Sequence, residues 1–147
     1  MRTLRPFSCF LLFAAACATP IQLPKDYLEL RGRDGFQAVT GDDARVWIRE
    51  FETRERAPLT FWATALEHDF VEQRGYDLVE RGEVKNRNGR AGNWFECTAN
   101  VRGERIGYLV AVWVDGDDVQ VVEFAAKADV FAARVETMKA ALRTVRW

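Results

Sequence analysis

The side chains best placed to do chemistry lie in Glu67-His68-Asp69, followed by Glu72, which set the only histidine of the chain beside three carboxylates. On a helix, His68 and Glu72 are four apart and share a face, so the group could hold a metal or pass a proton. A transition-metal site needs three or four converging ligands, and one imidazole is all that the chain offers. Leu59, Trp62, Leu66 and Phe70 form the apolar stripe of the same helix, leaving His68 on the solvated side. Asp115-Gly116-Asp117-Asp118 has the acidic look of a calcium loop. Such a loop wants glycine at its sixth position and glutamate at its twelfth, and Gln120 and Ala126 stand there instead. It reads as a hairpin turn.

Nucleophilic catalysis finds little support. The only serine is Ser8, near the amino terminus, and a Cys–His pair would require Cys97 to leave an apolar strand face and reach His68. Cys97 alternates with Phe95, Ala99 and Val101, a buried small hydrophobe at a period of two. Gly32-x-x-Gly35 and Gly89-x-x-Gly92 lack the strand–helix flanks of a phosphate loop and read as turns. The sequence therefore nominates no catalytic residue, no metal ligand and no cofactor. Five tryptophans, Trp47, Trp62, Trp94, Trp113 and Trp147, are many for 147 residues. They could serve a ligand groove or a partner patch, or lie buried beneath helices covering the sheet.

The elements that must position these groups alternate in type. Tyr27–Arg31, Phe36–Thr40 and Arg45–Phe51 read as short strands separated by Gly32-Arg33-Asp34-Gly35 and Gly41-Asp42-Asp43. A helix begins near Pro58 and stops at Gly75. Tyr76–Lys85 is extended, and Trp94–Val101, Ile106–Val114 and Val119–Ala126 follow as strands joined by short, glycine-bearing turns that specify antiparallel hairpins. Ile106–Val114 is apolar on both faces, so it must be central and covered twice. A closing helix, capped by Asp129, buries Phe131, Val135, Met138, Leu142 and Val145. The expectation is an α+β fold: a mostly antiparallel sheet of six or seven strands with one amphipathic helix on each face.

The amino-terminal residues are of another kind. Arg2 and Arg5 precede an apolar run from Phe7 to Ala16, the pattern of a secretory signal, and the run is about half of the ~20 residues that a membrane-spanning helix needs. Ala14-Ala15-Ala16-Cys17 resembles a bacterial lipobox, with Ala14 where leucine is usual. The resemblance implies cleavage after residue 16, a diacylglyceryl thioether on Cys17 and a lipid anchor in the membrane. Ala16-Cys17-Ala18 also fits ordinary signal cleavage, which would release a soluble periplasmic or secreted chain from Thr19. Residues 17–26, with two prolines and no periodicity, read as an extended tether with a reach of ~30 Å, and residues 27–147 as the single domain.

The strand–helix–meander–helix order also resembles the PsbP-like α/β/α sandwich family and the DcrB-type envelope lipoproteins. The likeness is carried by Arg74-Gly75-Tyr76-Asp77-Leu78, Gly89 to Trp94 and Phe131 to Val145. It implies an accessory or binding role. Without residues 1–16 the chain has 19 basic and 22 acidic residues, which lacks the basic footprint of a nucleic-acid binder. The expectation is a lipid-anchored envelope protein, periplasm-facing, with an envelope protein as partner. The alternatives are an exported enzyme using carboxylates such as Glu67, Asp69 or Glu72, and a structural envelope protein.

Overall fold

The computed structural model describes residues 19–30 and 35–147. The segment read as a signal and the lipidation candidate Cys17 lie outside the described residues, as do residues 31–34. Strands β1 (Leu28–Leu30), β2 (Phe36–Val39) and β3 (Arg45–Glu52) lead into helix α1 (Leu59–His68). A π-helical turn, Asp69–Gln73, extends it; then come β4 (Asp77–Lys85), β5 (Ala91–Val101), β6 (Glu104–Asp115), β7 (Asp118–Lys127) and helix α2 (Ala128–Leu142). The strands form one seven-stranded sheet in the order β1-β2-β3-β7-β6-β5-β4, and every pairing is antiparallel. Two meanders, β1–β3 and β4–β7, meet where β3 pairs with β7.

The turns follow from local chemistry. Arg102 and Gly103, between β5 and β6, both have positive φ (52° and 85°), the signature of a type I′ hairpin turn. Gly116, the first central residue of the β6–β7 turn, also has positive φ, so Asp115–Asp118 is a tight hairpin and its carboxylates are turn residues. Strand β6 is central and covered on both faces, as its composition requires. Leu109, Ala111 and Trp113 face α2 in one core, while Val110 and Val112 join Phe95, Cys97, Val119 and Val121 beneath α1 in the other.

The α2 stripe is buried as read: Phe131, Val135, Met138, Leu142 and Val145 are all in the first core. Its ends differ from the reading. The helix starts straight off β7 with Lys127 at the cap position, which places Asp129 inside the first turn, where its charge complements the helix dipole. It ends at Leu142, and Val145 completes the stripe from the following turn. Pro58 sits at the cap of α1 rather than inside it. Past His68 the backbone widens, with the Arg74 N–H donating to the Asp69 carbonyl (3.0 Å) and the Tyr76 N–H to the Phe70 carbonyl (3.0 Å). This brings Phe70 over the sheet, edge-on to Tyr76, Phe95 and Tyr108 at 5.6, 5.5 and 6.0 Å.

On the α2 side, glycines make room for rings. Gly92 pairs with Trp113 across β5–β6, and a Cβ on Gly92 would lie 2.4 Å from the indole. Gly107 lies under Phe131, where a Cβ would come within 2.2 Å of the ring. Trp113 is fully buried because its neighbour has no side chain.

The tether reading is corrected from Thr19 onward. Ile21 is 1% exposed and belongs to the α2-side core, with Leu23 packed against it. The Arg146 N–H donates to the Pro20 carbonyl (2.8 Å), and the Gln22 N–H donates to Thr144 Oγ1 (2.9 Å). Arg134 of α2 reaches both Asp26 (2.6 Å) and Asp42 (2.9 Å). Two apolar side chains and a set of backbone bonds hold this segment against the domain, although it has no regular secondary structure.

Candidate binding surface

The residues with chemical potential are kept apart. His68 is exposed. Glu67 pairs with Arg81 across to β4 (3.2 Å), and Asp69 pairs with Arg74 (2.5 Å). Each carboxylate is thus turned toward its own arginine, with Glu72 exposed on the outer face. Among the described residues no three metal-ligating side chains converge. Beside α1, Thr60, Thr64, Glu67, Arg81 and Asn93 line a shallow groove of about 450 Å³.

Lys139 of α2 has a denser environment. Its ammonium lies within 2.7 Å of Glu80, 3.0 Å of Glu96 and 3.1 Å of Glu136, and 4.6 Å from the centroid of the Trp94 ring. Burial alone would lower its pKa, but the hydrogen bonds that it donates to the three carboxylates outweigh it and the value is raised. A lysine so held stays charged and fixes α2 onto β4 and β5; it is not poised as a base.

Cys97 is buried and free. Burial pushes its thiol from near 9.0 up to about 11, with Glu67, Glu96 and Asp77 adding to the shift. Burial likewise pushes the neighbouring Tyr108 up to about 12, helped by its hydrogen bond to Tyr76. Both groups keep their protons longer when folded, so the unfolded chain releases protons first as pH rises. Stability should fall from about pH 9 to about 11 as Cys97 passes through that window. At neutral pH the native thiol is expected to react with a disulfide reagent at least ~100-fold more slowly than in urea. Rapid native labelling of Cys97 would show that the face is open.

The aromatic residues show where the covering of the sheet stops. Trp113 is fully buried, Trp94 lies under Lys139, and Trp147 lies under Arg90, whose guanidinium is 5.4 Å from the ring centroid. Helix α1 packs over β5 and β6, so it leaves the same face of β3 uncovered. Val46 and Ile48 of β3 point into the α2-side core, and by alternation Trp47, Arg49 and Phe51 point to the α1 side. Arg49 stacks 4.7 Å above the Trp47 ring and pairs with Glu123 of β7. Phe51 meets Trp62 edge-on at 5.6 Å, and Trp62 meets Phe61 at 5.5 Å. The outcome is a continuous strip, Trp47–Arg49–Phe51–Trp62–Phe61, with Phe51 41% and Phe61 55% exposed.

Of the five tryptophans, Trp113 is fully buried and the other four are half-buried, so the exposed rings of the strip are Phe51 and Phe61. Phe61 carried the overlooked signal: it stands outside the Leu59–Trp62–Leu66 stripe, an aromatic on a face that should be polar. A groove of about 580 Å³ at this part of β3 is lined by Pro20, Phe36, Trp47, Arg49, Glu50 and Phe51. The β2 pairing stops at Ile48, so among the described residues Arg49–Glu52 is paired only on its β7 side. The arrangement offers flat aromatic contact area, one arginine held in place and a length of strand edge.

No protein-family model matches the chain, and no curated protein sequence does. Solved structures do match in fold. LpqN, involved in cell envelope biogenesis of Mycobacterium tuberculosis, superposes with a TM-score of 0.64 at 11% identity over 84% of this chain and 79% of its own. PA94 of Pseudomonas aeruginosa, a protein of unknown function, gives 0.61 at 11% identity over 82% and 96%. Cyanobacterial PsbP from Synechocystis sp. PCC 6803 gives 0.56 at 9% identity over 82% and 80%. At such identities the likeness is one of architecture, and the PsbP-like sandwich inferred from element order is the fold observed.

Proposed function

We propose that this protein is an exported, lipid-anchored module of the bacterial cell envelope that binds a partner protein and does no catalysis itself. The observation that carries the binding role is the uncovered strip from Trp47 to Phe61. Exposed aromatics that are flat, partly rigidified by one another and flanked by a stacked arginine are the composition of a protein-recognition surface. The pairing of Glu67 and Asp69 with arginines supports the non-catalytic reading, because each carboxylate is already engaged by a guanidinium. The anchor rests on Cys17 in its lipobox-like setting, and the envelope location is in keeping with the architecture shared with LpqN.

A photo-crosslinking amino acid placed at Phe61 in membrane-bound protein tests the reading. It should give one discrete adduct that the same group at exposed Thr137 of α2 does not give. The adduct should fall at least ~10-fold in a Phe51→Ala variant, and Cys17→Ser should abolish palmitate incorporation and move the protein to the soluble fraction. Identical adducts at positions 61 and 137 would refute the binding strip, and palmitate retained by Cys17→Ser would refute the anchor.

A further inference from the structure

The docking of Thr19–Asp26 changes what a lipid on Cys17 would do. Pro20 is fixed by its bond from Arg146, and Ile21 by the core. Two residues, Ala18 and Thr19, separate Cys17 from Pro20, so even fully extended the three peptide steps reach only ~10 Å. That is little more than one headgroup layer of ~5–8 Å, half of what the two polar regions add to the hydrocarbon core. A chain anchored there keeps the domain within a few Å of the headgroups.

The surface around that exit point gathers arginines and a tryptophan, at the same end of the sheet as the acidic Asp115–Asp118 turn. Pro20, Arg87, Asn88, Arg146 and Trp147 line one shallow, open depression. It is held together by the Arg87 N–H donating to the Val145 carbonyl (3.0 Å) and by Asn88 Nδ2 donating to the Trp147 carbonyl (2.8 Å). Arg143 stands exposed at the adjacent end of α2. Among the described residues none of Arg87, Arg143 and Arg146 lies within ion-pair distance of a carboxylate. Arginines without carboxylate partners around a partly exposed tryptophan match anionic headgroups and the interfacial zone beneath them.

We infer that the Pro20–Arg87–Arg146–Trp147 face seats directly on anionic lipid headgroups, so that the domain rides flush with the membrane in one orientation. The inference rests on the lipidation of Cys17 proposed above. In this orientation the β5–β6 turn at Arg102–Gly103 points away from the bilayer, because the turn lies at the opposite end of the sheet from the β4–β5 connection that carries Arg87 and Asn88.

The test uses the full-length precursor processed in cells and purified with its acyl chains. It is reconstituted into vesicles of mixed phosphatidylethanolamine and phosphatidylglycerol. A fluorophore is attached through Asn88→Cys in one sample and Arg102→Cys in another, with Cys97 left in place because it is buried. Intact mass is read first, then quenching by a headgroup spin-labelled lipid. The expected result is an acylated mass, quenching several-fold stronger at position 88 than at 102, and loss of most of that contrast when Arg87, Arg143 and Arg146 are all changed to glutamine. An acylated mass with equal quenching at the two positions would overturn the flush seating and leave the anchor standing. A mass without acyl chains would overturn the anchor and this inference together.

Discussion

Replacing Ile21 by alanine is expected to lower the free energy of unfolding by about 2–4 kcal/mol, the range for deleting a large aliphatic side chain from a packed core. Ile21 is 1% exposed and packs in the same core as Leu109, Trp113, Phe124 and Met138. Its surroundings come from β6, β7 and α2, elements that also hold one another, so they cannot collapse into the vacated space. Urea denaturation of the two proteins, followed by tryptophan fluorescence, measures the difference. Lys25→Ala, at an exposed position four residues on, should change stability by less than ~0.5 kcal/mol. If Ile21→Ala were equally silent, the segment would be a tether after all, and the domain would begin near Tyr27. A strong effect of Ile21 alone fixes the amino-terminal boundary of the folded unit at Thr19–Pro20.

The second large effect concerns Gly107. Alanine there would place a methyl carbon 2.2 Å from the Phe131 ring, and that ring is itself stacked on Phe124 at 5.2 Å. The conflict can be relieved only by moving α2 away from β6 or by forcing Phe131 from its rotamer. A loss of about 1–3 kcal/mol or slightly more follows from overpacking of this kind. The mechanism predicts its own partial rescue. Phe131→Leu alone destabilises by leaving a gap, but combined with Gly107→Ala it should cost clearly less than the sum of the two single changes, because the methyl group fills part of that gap. Additive losses would mean that the two positions do not meet. Gly41→Ala is the control, since a Cβ there meets nothing within 4 Å.

The parts of this fold that were legible in the sequence are those fixed by local rules. Strands β5, β6 and β7 stand out because short turns carrying Gly103 and Gly116 separate an alternating run, a run apolar on both faces and a third apolar-rich run. The α2 stripe was legible because five apolar residues recur at helical spacing. Where local rules are silent the reading failed. Pro20 and Pro24 break any periodicity around Ile21 and Leu23, and the burial of those two residues is decided by the distant partners Thr144 and Arg146. The π-helical turn at Asp69–Gln73 is a single-residue widening of a helix whose apolar stripe is otherwise regular, and no composition marks it.

The candidate surface was half legible. Trp47 and Phe51 could be placed on the face of β3 opposite Val46 and Ile48 from alternation alone. What the sequence did not reveal is that α1, leaving β3 by the six-residue connection 53–58, crosses to the far half of the sheet and settles over β5 and β6. The landing point depends on Phe70 reaching Phe95 and Tyr108, contacts between residues far apart in the chain. Covering both faces is a rule about sheets in general; which strand remains bare is decided by where the helix is pinned.

The pairing of β3 with β7 sets an order of events. Arg45 lies opposite Ala125, so the seam between the two meanders closes only after some eighty intervening residues are present. Both cores draw on strands from the second meander, and the α2-side core also needs α2 and Ile21, from nearly opposite ends of the described chain. Contacts this distant in sequence form slowly and late. A chain arranged in this way cannot close its sheet until β7 has been made. The same seam that completes the sheet delays folding until the carboxy-terminal helix has arrived.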